Sequence, residues 1–185
     1  MLGLKRGIVE LVPHDVGWAA RFNELAVTIR SRTGLPEDRV QHVGSTAVEG
    51  LPSKPILDIV LGSDSAEAAD RLAAALVGIG YIDRGLGEGS NGRLLVMESA
   101  PNVRIAHVHI VQYETQDWKD YVLFRDTLRG DHTLRSRYAE LKRGLAERFA
   151  TDRQSYTSGK ETFIRAVIHA AQAGTNLRTG DSTVD

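Results

Sequence analysis

The sequence has 185 residues, enough for one domain with a hydrophobic core. Lys plus Arg number 23 against 24 Asp plus Glu, a net charge of -1, and that balance excludes a domain that coats nucleic acid by bulk electrostatics. A small-molecule partner suits that balance better, and the absence of cysteine excludes disulfides, thiolate zinc sites and cysteine nucleophiles. No apolar run approaches the ~20 residues that span a bilayer. Residues Met1 to Val12 lack the apolar core and small-residue cleavage site of a signal peptide. The expectation is a cytoplasmic protein without a membrane partner; the oligomeric state is not legible.

In chain order, Ile8 to Val12 reads as a short strand closed by Pro13. Trp18, Phe22, Leu25, Ala26 and Ile29 recur at helical spacing and predict an amphipathic helix over 15–31, ended by Gly34 and Pro36. Arg39 to Val43 is extended and runs into a Gly44-Ser45-Thr46 turn. Ile56 to Leu61 is apolar except for Asp58, the pattern of a buried central strand. Ala69, Leu72, Ala73 and Leu76 mark a helix, and 80–84 a further strand. The glycine-rich stretch 85–92 is a loop, either a lid or a hairpin connection. Arg93 to Ser99 and Val103 to Val111 form a strand pair around Pro101 and Asn102. Three helical stripes follow, on Trp118/Tyr121/Val122/Leu128, on Leu134/Tyr138/Leu141/Leu145/Phe149 and on Phe163/Ile164/Val167/Ile168. The fold class is α/β, a mixed sheet flanked by helices with C-terminal helices, in one domain over 1–173. Residues 174–185 lack an apolar period and are expected to be a mobile tail.

Three features carry chemistry. A Gly44-Ser45-Thr46 turn after a strand leaves backbone N–H groups and hydroxyls able to hold phosphate oxygens, though such turns also simply reverse the chain. Asp58 in an apolar strand is costly unless it is paired, with Lys54 or an arginine as candidate partners, or ligates a hard cation such as Mg²⁺. His107 and His109 point to one strand face and suit metal ligation, acid–base work, phosphate contact or a hydrogen-bonded cleft. Arg104 falls on the opposite face unless a bulge intervenes. Lys54, Arg125, Lys142 and Lys160 are candidate phosphate contacts, although surface lysines and arginines are usually just solvated and that reading is favoured for any one of them.

The order strand, Gly-Ser, about a dozen residues, then an acidic residue in an apolar strand is similar to the nucleotidyltransferase superfamily that includes DNA polymerase beta. His42-Val43-Gly44-Ser45-Thr46-Ala47-Val48, Gly50-Leu51 and Lys54-Pro55-Ile56-Leu57-Asp58-Ile59 resemble the signature of the GrpB family. The opening Val9 to Pro13 with Trp18, the strand His107 to Val111, and the helical residues Trp118, Phe124-Arg125-Asp126, Tyr138, Leu141-Lys142, Tyr156, Lys160 and Phe163-Ile164 extend the resemblance over about 8–169. It implies a nucleotidyltransferase fold, and some relatives are fused to dephospho-coenzyme A kinase. Active superfamily members carry a second carboxylate two residues after the first, where this chain has Val60. Two-ion catalysis needs those ligands; Asp58 with two imidazoles would hold one ion and would favour Mn²⁺ or a transition metal. The expected activity is metal-dependent nucleotidyl transfer from an NTP to a small-molecule acceptor. Asp58, His107 and His109 would act as ligands or base, and Gly44, Ser45, Thr46, Lys54 and Lys160 would hold phosphate. The alternatives are a non-catalytic nucleotide- or coenzyme-binding module assisting a partner enzyme, and a metal-dependent hydrolase.

Overall fold

The computed structural model describes residues 2–86 and 92–179. The first helix, α1 (Gly17–Thr33), ends where Gly34 turns left-handed at φ 74° and donates its N–H to the Arg30 carbonyl at 2.8 Å. The strand β2 (Val40–Val43) follows, then a single 3₁₀ turn over Ser45–Ala47. The strand β3 (Leu57–Ser63) leads into α2 (Ala66–Val77), which is capped by Ser65 accepting from the Ala68 N–H at 3.2 Å. Strands β4 (Ile82–Leu86), β5 (Arg93–Ala100) and β6 (Val103–Gln112) complete the sheet, with the β5–β6 turn set by Asn102 at φ 65°.

With the two-residue β1 (Leu4–Lys5) the sheet has six strands, in the order β2-β3-β6-β5-β4. The β3–β6 pair is parallel, and β2–β3, β4–β5 and β5–β6 are antiparallel. β1 pairs with Val103 and Arg104, where β3 has not yet begun. The strand expected at 8–12 is absent apart from one bridge between Val12 and Ser53. Its backbone is spent elsewhere: the Ile8 N–H bonds Lys5, and the Val9 N–H bonds Ala150 at 2.8 Å.

Alternation along the central strands divides the sheet into two faces. Leu57, Ile59 and Leu61 of β3 and Ala106, Val108 and Ile110 of β6 pack with Trp18, Ile29, Leu72 and Leu76 of α1 and α2. The other face carries Asp58 and Val60, His107 and His109. Helix α3 (Gln116–Gly130) lies on that face through Trp118, against Val43, Val60 and Val111. Helices α4 (His132–Arg148), α5 (Arg153–Ser158) and α6 (Glu161–Thr179) extend this layer. Phe124, Leu128, Tyr138 and Val167 bury one another there, together with Val48 and Leu51 from the loop before β3. The C-terminal helices therefore cover the same sheet. Helix α6 runs to Thr179, beyond the point where the sequence loses its apolar period, and the remainder of the expected tail lies outside the described residues. The expected lid falls largely on 87–91, also outside them.

Candidate functional site

Gly44, between β2 and the 3₁₀ turn, adopts φ 68° and lies directly against Asp58. A Cβ built on Gly44 would sit 2.6 Å from Asp58 Oδ2. The Gly-Ser turn is therefore glycine for two reasons, a left-handed backbone and a carboxylate with no room to spare.

Parallel pairing of β3 with β6 sets Asp58 beside His107 and Val60 beside His109. His107 Nδ1 lies 3.2 Å from Asp58 Oδ1, and His109 Nε2 lies 3.9 Å from the same oxygen. Arg153 Nη2 on α5 approaches the second ring nitrogen of His107, Nε2, at 3.5 Å. A guanidinium only donates, so His107 is the neutral tautomer, accepting at Nε2 and donating Nδ1–H to an ionised Asp58. Burial drives the imidazolium form out, to a pKa of about 4, although Asp58 opposes the shift. Burial also works against the Asp58 carboxylate, but the hydrogen bonds of His107 and His109 outweigh it and hold Asp58 well below the usual carboxylate range.

Asp58 and the two histidines line the floor of a cavity of about 470 Å³. Gly44 and Ser45 form one rim, and α3 to α6 form the roof. Four basic side chains enter it from four places in the chain: Lys54 from the loop before β3, Lys142 from α4, Arg153 from α5 and Lys160 from the residue preceding α6. Lys54 and Lys160 both lie over the Tyr156 ring, at 5.2 and 4.6 Å from its centroid. Lys142, 1% exposed, donates to the Pro52 carbonyl and lies 5.0 Å over the Tyr138 ring. Burial pushes Lys54 down to about 7, with Lys160 and Arg153 adding repulsion. Burial likewise pushes Lys142 well down and lowers Lys160. The cavity thus gathers four basic side chains whose charged forms burial disfavours, with Asp58 partly offsetting that penalty and Asp117 and Asp120 also in the lining. Tyr121, Phe124, Ile164 and Ile168 supply an apolar wall, and Tyr121 packs against His109 at 5.2 Å between centroids.

The residues present do not fit a two-ion centre. Val60 is fully buried against Val43, Val111 and Trp118, so the position of the second carboxylate is dry core. Both nitrogens of His107 are occupied by protein groups. Among the described residues no group of three His, Asp or Glu side chains is arranged to hold an ion. Within the trio expected to ligate a cation, Asp58 accepts from His107, and His109 lies 3.9 Å from the same carboxylate oxygen.

All the candidate residues, Gly44, Ser45, Thr46, Lys54, Asp58, His107, His109 and Lys160, line this one cavity. The Thr46 hydroxyl is engaged by His42 Nε2 at 3.0 Å, which steadies the turn. Asp58 is paired with histidine and not with Lys54. Arg125 is structural: its Nη1 donates to the His42 carbonyl and to Gln41, and Asp126 holds its other edge. Arg153 went unnoticed in the sequence because it reaches His107 from an element with no apolar period. Lys142 had a signal, its position four residues after Tyr138 on a buried stripe, which a solvated lysine would not occupy.

The fold defined by this sheet, turn and cavity is nucleotidyltransferase-like. The Cid1 poly(U) polymerase, in its magnesium 3'-dATP-bound crystal structure, superposes with a TM-score of 0.52 over 80% of this chain and 49% of that one, at 13% identity, a likeness of fold alone. The GrpB protein profile matches residues 8–170, and the chain belongs to the GrpB family. The crystal structure of the conserved protein GrpB from Enterococcus faecalis superposes with a TM-score of 0.77 over 90% of this chain and 99% of that one, at 28% identity. A UPF0157 protein of Pseudomonas aeruginosa is 38% identical over 171 residues, covering 90% of this chain and 69% of that protein. No helix among the described residues is long and apolar enough to cross a membrane.

Proposed function

We propose that the cavity binds a nucleotide through its polyphosphate and transfers the nucleotidyl group to a small-molecule acceptor. Lys54, Lys142, Lys160 and Arg153 would supply most of the positive charge. The observation that carries this reading is the convergence of the buried Lys142 and the half-buried Lys54, Arg153 and Lys160 on the Gly44-Ser45 rim and the Asp58 floor. Buried lysines that repel one another are destabilising without an anion, so a polyanion gains both their charge and the relief of their strain. Ser45 and the turn backbone would hold phosphate oxygens, and Tyr121, Phe124, Ile164 and Ile168 would receive the base. In the transfer, an acceptor hydroxyl or amine attacks the α-phosphorus and pyrophosphate leaves. His109, oriented by Asp58 and Tyr121, takes the proton.

A second reading keeps one divalent ion, held jointly by Asp58 and the nucleotide phosphates. Mg²⁺ commonly binds one carboxylate and substrate oxygens, and the ionised Asp58 faces the cavity beside Gly44. Calorimetric titration of ATP with and without Mg²⁺ or Mn²⁺ separates the two readings. Binding that survives chelation supports the cation cluster; binding only with the ion supports Asp58 as its ligand. Pyrophosphate release against a panel of acceptors then tests transfer. Nucleotide binding with no release from any acceptor would leave a binding module and refute transfer.

A further inference from the structure

The pairing of β5 with β6 slips by one residue: Met97 pairs with Ala106, but Glu98 pairs with Arg104, which leaves Ile105 as the extra residue of a bulge. Strict alternation from His107 would turn Arg104 toward α1 and α2. The bulge returns it to the cavity face, opposite Glu98, which shares that face with Val96, the partner of His107. The result is an arginine 5% exposed inside a sheet.

The surroundings of Arg104 do not satisfy it. Its Nε is buried without a hydrogen-bond partner, as is Oε1 of Glu98, and the two atoms are 4.0 Å apart. Glu98 is further divided: Oε2 accepts the Asn102 N–H at 2.9 Å, and Arg84 Nη2 stands 3.8 Å from Oε1. Arg6, just after β1, and Arg153, at the edge of the main cavity, both repel Arg104. Arg84 and Arg104 therefore face a single shared carboxylate, with Arg153 approaching His107 beside them. A buried guanidinium N–H and a buried carboxylate oxygen left without hydrogen bonds each keep the cost of their lost hydration. A bulge that places an arginine in such surroundings has a ready use if an anion completes the set, since guanidinium groups grip phosphate in a bidentate fork.

We infer that Arg84 and Arg104 form a second anion subsite beside the nucleotide cavity, and that the group it receives is a phosphate carried by the acceptor. The acceptor role rests on the proposed nucleotidyl transfer; the subsite itself does not. Arg153 stands between the two sites and orients the acceptor's attacking group toward His107 and His109.

The test is calorimetric titration of inorganic phosphate into the full chain saturated with a non-hydrolysable ATP analogue, with acetate at the same concentration as a carboxylate arm. The loaded protein is expected to bind phosphate more tightly than acetate. Arg104→Gln and the more exposed Arg84→Gln should each weaken phosphate by about tenfold or more, and more than they weaken the analogue. A Lys54→Gln/Lys160→Gln variant should lose the analogue and still bind phosphate. Failure of the loaded wild type to bind phosphate overturns the inference, as does unchanged phosphate affinity in both arginine variants or its loss in the lysine variant. Acetate binding as tightly as phosphate overturns the phosphate assignment. If the analogue itself does not bind, the proposed function fails, and phosphate titration of unloaded wild type against Arg84→Gln still decides the subsite.

Discussion

The two faces of the sheet are built by the same strands and obey opposite rules. Toward α1 and α2, β3 and β6 present Leu57, Ile59, Leu61, Ala106, Val108 and Ile110, all but fully buried and all apolar. Toward α3 to α6, the alternate residues are Asp58, Val60, His107 and His109, and the helices above them contribute lysines and an arginine to the space between. One face is close-packed because nothing on it needs water or a ligand. The other keeps a cavity and crowds like charges round it, an arrangement that stability alone does not reward. That difference is the reason for placing the proposed site on the second face.

The sharpest way to break this comparison is to put the missing carboxylate back. Val60→Asp places a charge among Val43, Val111 and Trp118, with no room for an ion and no paired cation. It should destabilise the protein by roughly 3–5 kcal/mol or prevent folding, rather than create a two-ion centre. Denaturant unfolding with and without Mn²⁺ checks this, and rescue by Mn²⁺ would show that the position is a latent ligand. Ile59→Ala, on the apolar face, should cost about 2–5 kcal/mol by the same assay while leaving nucleotide affinity nearly untouched. Gly44→Ala should show the reverse emphasis. The left-handed backbone and the clash with Asp58 should cost about 1–3 kcal/mol and abolish nucleotide binding in calorimetry, because the rim and floor must separate.

The smallest effect is the most telling in sign. Burial pushes the Lys54 ammonium down to about 7 in the folded protein, against the ordinary 10.5 in the unfolded chain. Between these values the unfolded state holds the extra proton, so stability rises with pH across that window; the penalty is complete below about 7. Lys54→Met should therefore raise the unfolding temperature of the ligand-free protein at neutral pH, flatten that pH dependence and weaken nucleotide binding. A lower unfolding temperature at every pH would mean that Lys54 is structural.

Much of the site was legible in the chain. The apolar run around Asp58 implied a buried strand and a carboxylate in need of partners, and two histidines at spacing two implied one face; parallel pairing of β3 with β6 brings them together. The turn at Gly44 was legible as a turn, although its contact with Asp58 was not. What sequence pattern misses is whatever depends on long-range placement. Lys142, Arg153 and Lys160 converge only because α4 to α6 close over the sheet. The bulge at Ile105 is a one-residue slip that no periodicity announces, and it reverses the face expected for Arg104. The strand expected at 8–12 failed for a similar reason, since its N–H groups are claimed by Lys5 and Ala150.

The central claim is that buried lysines, relieved by a polyanion, hold the nucleotide. It is tested most directly by titrating ATP into the wild-type protein at about pH 8 with chelator present, in two buffers of different ionisation enthalpy. Lys54 is then mostly neutral in the free protein, and binding should proceed with uptake of about one proton or more. Binding that requires a divalent ion, or that takes up no proton, would contradict the account.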